Sequence, residues 1–309
     1  MININTFECY SIKELKSIFF RYKIEGYQIS KGSILARIAS ITFEESKICI
    51  CDYKTTVLSK WTLPNNKITF ILIINVFDEL SKFQDISIKR HMLFCLGTTS
   101  KIFSYLVKNS KIIYFQCTRE ELKFLNIEYI IDSVIYPIDK KNEIISNKII
   151  SLFNRIHNLS NINLKKINEK ILYEHFFSLY LYLYLYLNKK NIIYLQKDYE
   201  SNIAETVYQY IKYNANYEIK MKTLCQLTQK SARTLEREFK KKYHITIQDF
   251  IKIHRLNEVR HKLLAGLDNN TITEVAYECG FLHLSRFSQK YKELFAELPS
   301  ETYKRLQKK

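Results

Sequence analysis

Several things are scarce or missing in this chain, and each absence narrows what it can be. Five glycines and three prolines are spread through 309 residues. No G-x-S-x-G, H-E-x-x-H or Walker-type motif occurs, so nothing in the pattern marks a hydrolase elbow, a zinc protease helix or a phosphate loop. The opening "MININTFECYSIKELKS" lacks the basic, then apolar, then small-residue order of a secretory signal. The most apolar run, "FFSLYLYLYLYL" at 176–187, is about half the length that crosses a bilayer, so no membrane span is expected. Seven cysteines (Cys9, Cys49, Cys51, Cys95, Cys117, Cys225 and Cys279) are an odd number in mostly apolar surroundings. They read as reduced core residues of a cytoplasmic protein.

What is present is basic. Lys and Arg outnumber Asp and Glu by 48 to 31, a net charge of +17, which suits an anionic partner such as nucleic acid, or a membrane surface. Ile, Asn, Lys and Tyr are abundant throughout, as in an A/T-rich genome, so the position of the charge says more than its total.

The chain length suits two compact units. From about 34 to 136, short apolar runs such as "ILARIASITF", "ICICDY", "VLSKWTL" and "ITFILII" alternate with turn-like clusters such as "EESK" and "PNNK". That texture predicts a mainly antiparallel β sandwich or barrel, with one helix at 118–125 where Thr118 precedes Glu121 in a capping-box arrangement. From about 141 the segments lengthen, and 144–156 and 163–188 read as helices. The second is apolar on most sides and has to be buried, inside the chain or against a second copy in a homodimer. The expected class is α+β: a β-rich, sandwich- or barrel-like sensor domain over 1–140, a helical connector over 141–197, and an all-α domain over 198–309.

The last part carries the clearest pattern. On a helix at about 100° per residue, "SARTLEREFKKKY" (231–243) puts Leu235, Phe239 and Tyr243 on one face. Arg233, Thr234, Arg237, Lys240 and Lys241 fall on the other. Ser231 is a suitable N-cap. The preceding "MKTLCQLTQK" has Met221, Leu224 and Cys225 at helical spacing, so two short helices with a basic second one are outlined. A second copy follows in "TITEVAYECGFLHLSRFSQKYKELF". Ile272, Val275 and Ala276 mirror the first triplet, and Phe287, Tyr291 and Phe295 mirror the second, with Gly280 supplying the tight turn. Between the copies Phe250, Ile253, Leu256, Val259 and Leu263 fit one long helix ended by Gly266. About twenty residues span roughly 30 Å, close to the roughly 34 Å of one B-DNA turn. Such a rod would hold two recognition helices in successive major grooves of double-stranded DNA.

The side chains divide by chemistry. The Arg233 and Arg237 guanidinium forks suit bidentate contact with guanine, whereas Lys240 and Lys241 suit phosphates. In the second copy Arg286 and Gln289 are the candidate readers, with His283, Ser285 and Lys292 as further base or phosphate contacts.

The blocks "SARTLEREF", "RLNEVRHKLL", "ITEVAYECGF" and "FSQKYKELFAELPSETYKR" resemble, in order and spacing, the C-terminal DNA-binding domain of AraC/XylS-type transcription regulators. The resemblance covers roughly 210–309. It implies two helix-turn-helix units joined by a long helix, a promoter site, and recruitment of RNA polymerase by an activator. By position it assigns Arg233, Thr234, Arg237 and Lys240 to the first recognition helix and Ser285, Arg286 and Gln289 to the second. Within the family, the branch containing the ethanolamine-utilisation regulator is most similar, which implies a small-molecule effector. The chain departs from the family at Gln229 and Lys230, where Gly and an apolar residue are usual. It departs again at His244 and Ile247, where Gly and Pro are usual. Two alternatives are a DNA-binder without ligand and a DNA-repair enzyme with a similar domain. The second needs a four-thiolate zinc module, and the Cys49/Cys51 pair, on one face of a strand, reads as core.

Overall fold

A computed structural model describes most of residues 2–118, the pieces 134–136 and 193–194, a few isolated positions between them, and 203–306 apart from 268–269. The helices expected at 118–125, 144–156 and 163–188 lie outside the described residues, bar single helical positions.

The N-terminal part is β-rich, as its runs predict, and it starts earlier than about 34. Strand β1 (Ile2–Cys9) pairs with β3 (Ala36–Phe43), and β3 pairs with β4 (Ser46–Tyr53). β4 pairs with β11 (Lys111–Thr118), β11 with β6 (Lys67–Asn75), and β6 with β9 (Leu93–Leu96). The short strands β12 (Val134–Tyr136) and β13 (Ile193–Tyr194) extend that sheet to eight strands. A smaller sheet runs β2 (Lys23–Gln28), β5 (Val57–Thr62), β10 (Lys101–Leu106), β7 (Lys82–Phe83) and β8 (Ile86–Ser87). Each of these pairings is antiparallel. Ile38, Cys49, Cys51 and Ile71 from the larger sheet meet Ile24, Trp61 and Ile102 from the smaller one in a shared core.

A helix not expected from the apolar runs, α1 (Ile12–Ile18), packs Leu15 into the same core. Its signal was present. Ser11 Oγ accepts from Glu14 N at 3.3 Å, and Tyr10 N donates to the Glu14 carboxylate at 2.6 Å. Those two bonds satisfy free N–H groups at the helix start.

The C-terminal part is helical: α2 (Ile203–Asn214), α3 (Met221–Thr228), α4 (Ala232–Tyr243), α5 (Ile247–Ala265), α6 (Ile272–Glu278), α7 (Leu284–Phe295) and α8 (Pro299–Leu306). Two apolar clusters share the long α5. Leu235, Phe239, Tyr243 and Phe250 belong to one, and Leu256, Val259, Phe287, Tyr291 and Phe295 to the other. The first cluster also takes in Tyr27, Leu58, Phe103 and Tyr105 of the smaller sheet, so the β region and the helical region share apolar packing.

Candidate nucleic-acid interface

The two helix pairs, α3 with α4 and α6 with α7, have matching frames. Leu235, Phe239 and Tyr243 are fully buried, as are Tyr291 and Phe295, with Phe287 2% exposed. Both second helices end in a left-handed residue: His244 at φ 61° after α4, Ala296 at φ 57° after α7. Each of those N–H groups returns to the fourth residue back, Lys240 O and Lys292 O, at 2.9 Å. Where the family pattern has Gly at the first of these ends, His244 takes the same left-handed backbone at the cost of its Cβ. Thr246 Oγ1 then accepts from Asp249 N at 3.1 Å and opens α5, with Ile247 as its first residue.

The turns within the pairs differ. Gln229 carries the left-handed conformation (φ 55°) in the first, and Gly280 (φ 84°) in the second. A Cβ on Gly280 would lie 3.0 Å from Asn216 O and 3.1 Å from the Arg255 guanidinium, so a side chain there would be crowded as well as placed at an unfavourable φ. Arg255 donates to Ala215 O (2.6 Å), Tyr217 O (2.9 Å) and Gly280 O (3.0 Å), pinning the segment after α2 to the turn of the second pair.

All ten candidate reading residues reach the surface. Arg233, Arg237, Lys240, Lys241, His283, Ser285, Arg286, Gln289 and Lys292 are exposed, and Thr234 is half-buried. Ser231 accepts from Thr234 N at 3.3 Å and its hydroxyl lies 3.0 Å from that of Thr234, so Thr234 is also part of the cap. His283 occupies the N-cap position of α7 without a side-chain cap bond. Arg237 is paired with Glu238 at 3.0 Å. That exposed pair contributes little to stability. Glu236 accepts from Ile247 N at 3.3 Å, so one of the two acidic residues of α4 serves the start of the next helix.

The third lysine of "KKK" behaves differently from its neighbours. Lys242 is buried and reaches Glu205 of α2 at 3.3 Å; Tyr243 Oη donates to the same carboxylate at 2.8 Å, and Lys60 of β5 pairs with it as well. Burial opposes ionisation of Glu205, but Lys60 beside it and the hydrogen bonds from Lys60, Gln209 and Tyr243 outweigh that and hold its pKa at about 2. No local pattern announces this hub, because its members lie in three separate stretches.

Room for small ligands is uneven. Inside the β region, the space between Tyr22, Trp61, Thr69, Phe83 and Tyr114 amounts to about 10 Å3, no more than one water occupies. A wider cleft of about 730 Å3 opens between α1, β2, α2 and α5, with Tyr27, Lys212, His254 and His261 on its walls. The thiols of Cys49 and Cys51 point into the core, and burial pushes Cys49 up to about 12 and Cys51 well above its ordinary value. Neutral, buried thiols of this kind suit packing. Among the described residues no helix is long and apolar enough to cross a membrane.

Comparison with known proteins finds similarity that includes the C-terminal part. Residues 224–305 match a family model described as a helix-turn-helix domain. The XylDLEGF operon transcriptional activator 2 of Pseudomonas putida is 62% identical over 32 residues, 10% of this chain and 20% of that protein. In these alignments the chain spans a fifth or less of the length of the curated relatives. A probable AraC family transcriptional regulator from Rhodopseudomonas palustris, solved as a crystal structure, is 33% identical over 34% of this chain and 98% of that one, with a TM-score of 0.33. ToxT from Vibrio cholerae aligns over 93% of this chain and 98% of its own at 15% identity and a TM-score of 0.33.

Proposed function

We propose that this chain is a sequence-specific, DNA-binding transcription regulator of the AraC/XylS type, an activator whose two helix-turn-helix units read successive major grooves of double-stranded DNA. The observation that carries the reading is the duplicated frame. Two exposed polar faces stand on matched buried triplets, and the 19-residue α5 between them is long enough, at about 28 Å, to set them near one helical turn apart. The helix-turn-helix match over 224–305 and the transcriptional activators among the similar proteins support it. In this reading Arg233 and Arg237 contact bases with Thr234 beside them, and Lys240 and Lys241 hold phosphates. Arg286 and Gln289 read the second element, flanked by His283, Ser285 and Lys292. Recruitment of RNA polymerase, homodimerisation through 141–197, a sandwich-like build of the β region and an intracellular site of action belong to the same proposal.

The test is binding of the full chain to upstream fragments of its own genome. Arg233→Ala and Arg237→Ala are each expected to weaken specific binding by about 1–3 kcal/mol and to relax base preference at one position. Lys240→Ala and Lys241→Ala are expected to weaken all sequences alike and lower the salt slope by about 1 each. If neither arginine change alters affinity or preference, α4 is not a reading helix.

The likeness to the ethanolamine-utilisation branch supports a small-molecule effector, while the space of only about 10 Å3 between Tyr22, Trp61, Thr69, Phe83 and Tyr114 favours a second reading, a regulator with no ligand at that point of the β region. Thermal unfolding against a panel of small metabolites separates them, since a ligand bound only by the folded chain raises the midpoint.

A further inference from the structure

The smaller sheet grips the long helix and both candidate recognition helices at once. Asn257, buried at the middle of α5 and 3% exposed, accepts from Gln28 N and donates to Gln28 O, both at 3.0 Å. Its side-chain amide thus meets the end of β2 as the peptide of a neighbouring strand would. Further along α5, Arg260 is 1% exposed. It donates to Tyr10 O at 2.8 Å and Ser33 O at 2.7 Å, and pairs with Glu297 at 2.9 Å.

The two recognition helices are held at equivalent ends. Gly32 N and Gln28 Nε2 both donate to Leu294 O in the last turn of α7, at 3.0 and 3.2 Å. At the end of α4, Phe103 packs on Tyr243 with ring centres 5.5 Å apart, and Tyr105 lies 4.6 Å from the His244 ring. Among the described residues, none of the ten candidate reading side chains enters these contacts. Docking of the β region therefore leaves the reading faces open, and what it can control is their mutual angle.

We propose that the β region is a brace that fixes the angle between α4 and α7, with Asn257 and Arg260 as positioning residues for binding a two-element DNA site. The inference rests on the reading of both helices as DNA readers. A rigid joint presents the second helix to its groove at a high effective concentration once the first is bound; a joint free to swing spreads it over unproductive angles and loses that gain.

The probes are 30-base-pair duplexes enriched by the full wild-type chain from a random pool, each half-element alone, and a version with two base pairs inserted between the elements. The insertion turns the second element by about 70°. Asn257→Ala is expected to bind the two-element duplex about tenfold more weakly, to stay within about twofold on either half-element, and to lose the wild-type preference for the native spacing. Arg260→Lys, which keeps a charge for Glu297 without the fork that reaches two carbonyls, is expected to show the same split. Asn257→Asp, equal in shape but without the donor, replaces the Ala variant should that one fail to fold by circular dichroism. Equal losses on half-element and two-element duplexes would make Asn257 a residue of general stability and overturn the brace. Unchanged or tighter two-element binding overturns it too. If the wild-type chain enriches no duplex at all, the assignment of the helices to DNA falls first, a result distinct from either of these.

Discussion

The first and second helix pairs reach one geometry by different local chemistry. In the first, the leading helix α3 has no side-chain cap and the basic α4 is capped by Ser231. In the second the arrangement is reversed: Thr271 and Glu274 form a full capping box on α6, and α7 starts at His283 without one. The left-handed turn residue is Gln229 in one and Gly280 in the other. What the pairs share is the buried triplet on the second helix and the left-handed end that follows it. The fold of such a pair is therefore set mainly by its apolar face and its tertiary neighbours, and caps and turn residues adjust stability around it.

Four perturbations would sharpen or break that comparison. The largest concerns Glu205, which ties α4 to α2 and to the sheet. Its carboxyl sits at about 2 in the folded chain against an ordinary value of 4.5. A depressed folded pKa contributes stability that is complete above about 4.5 and lost as pH falls towards 2, here on the order of 2–3 kcal/mol. Urea unfolding followed from pH 6 to 2.5 should show that acid limb, and Glu205→Gln should flatten it; an unchanged limb would mean that other carboxylates carry it. Next comes Gly280→Ala, expected to cost about 2 kcal/mol because a Cβ there meets both the backbone strain of a positive φ and the nearby Asn216 carbonyl. A cost near zero in thermal unfolding would show that the second turn can relax as the first has done. Ser231→Ala should cost about 1 kcal/mol through loss of the α4 cap, visible as a lower denaturation midpoint. The smallest effect has the opposite sign: Gln229→Gly should stabilise by about 0.5 kcal/mol by relieving the left-handed strain. If it destabilises, the Gln229 side chain makes a contribution that its exposed position does not suggest.

Much of the C-terminal part was legible because its two faces differ so sharply. Apolar residues at helical spacing, repeated with the same order of polar ones, give the helices, their burial and the exposed candidates together. The β runs were legible for a similar reason. Sequences such as "ITFILII" are apolar apart from Thr69, and β6 is buried along most of its length, as expected for a strand covered on both sides. The early strand β1 and helix α1 escaped, although Ser11 and Glu14 form a capping-box pattern, because the surrounding "ECYSIKELKS" is short and polar on one side. On α5, Phe250, Leu256, Val259 and Leu263 are buried as expected, and Ile253 is half-buried against both clusters. His254, Asn257 and Arg260 are buried as well, and nothing local marks them. Polar residues interrupting an apolar helix read as solvated until a second surface with matching carbonyls arrives. Lys242 was hidden in the same way inside a run of three lysines, two of which do face solvent.

The sequence by itself determined which elements form and which face of each is apolar, since periodicity, capping residues and turn residues act within a few positions of one another. It also set the chemistry of the exposed side chains on α4 and α7. Only the tertiary structure decided which polar residues turn inward, that Glu205 gathers Lys60, Lys242 and Tyr243, and that Asn257 and Arg260 dock the long helix on the β region. Those outcomes depend on carbonyls and carboxylates far away in the chain, and the free energy of burying a polar group is favourable only once such a partner is in place.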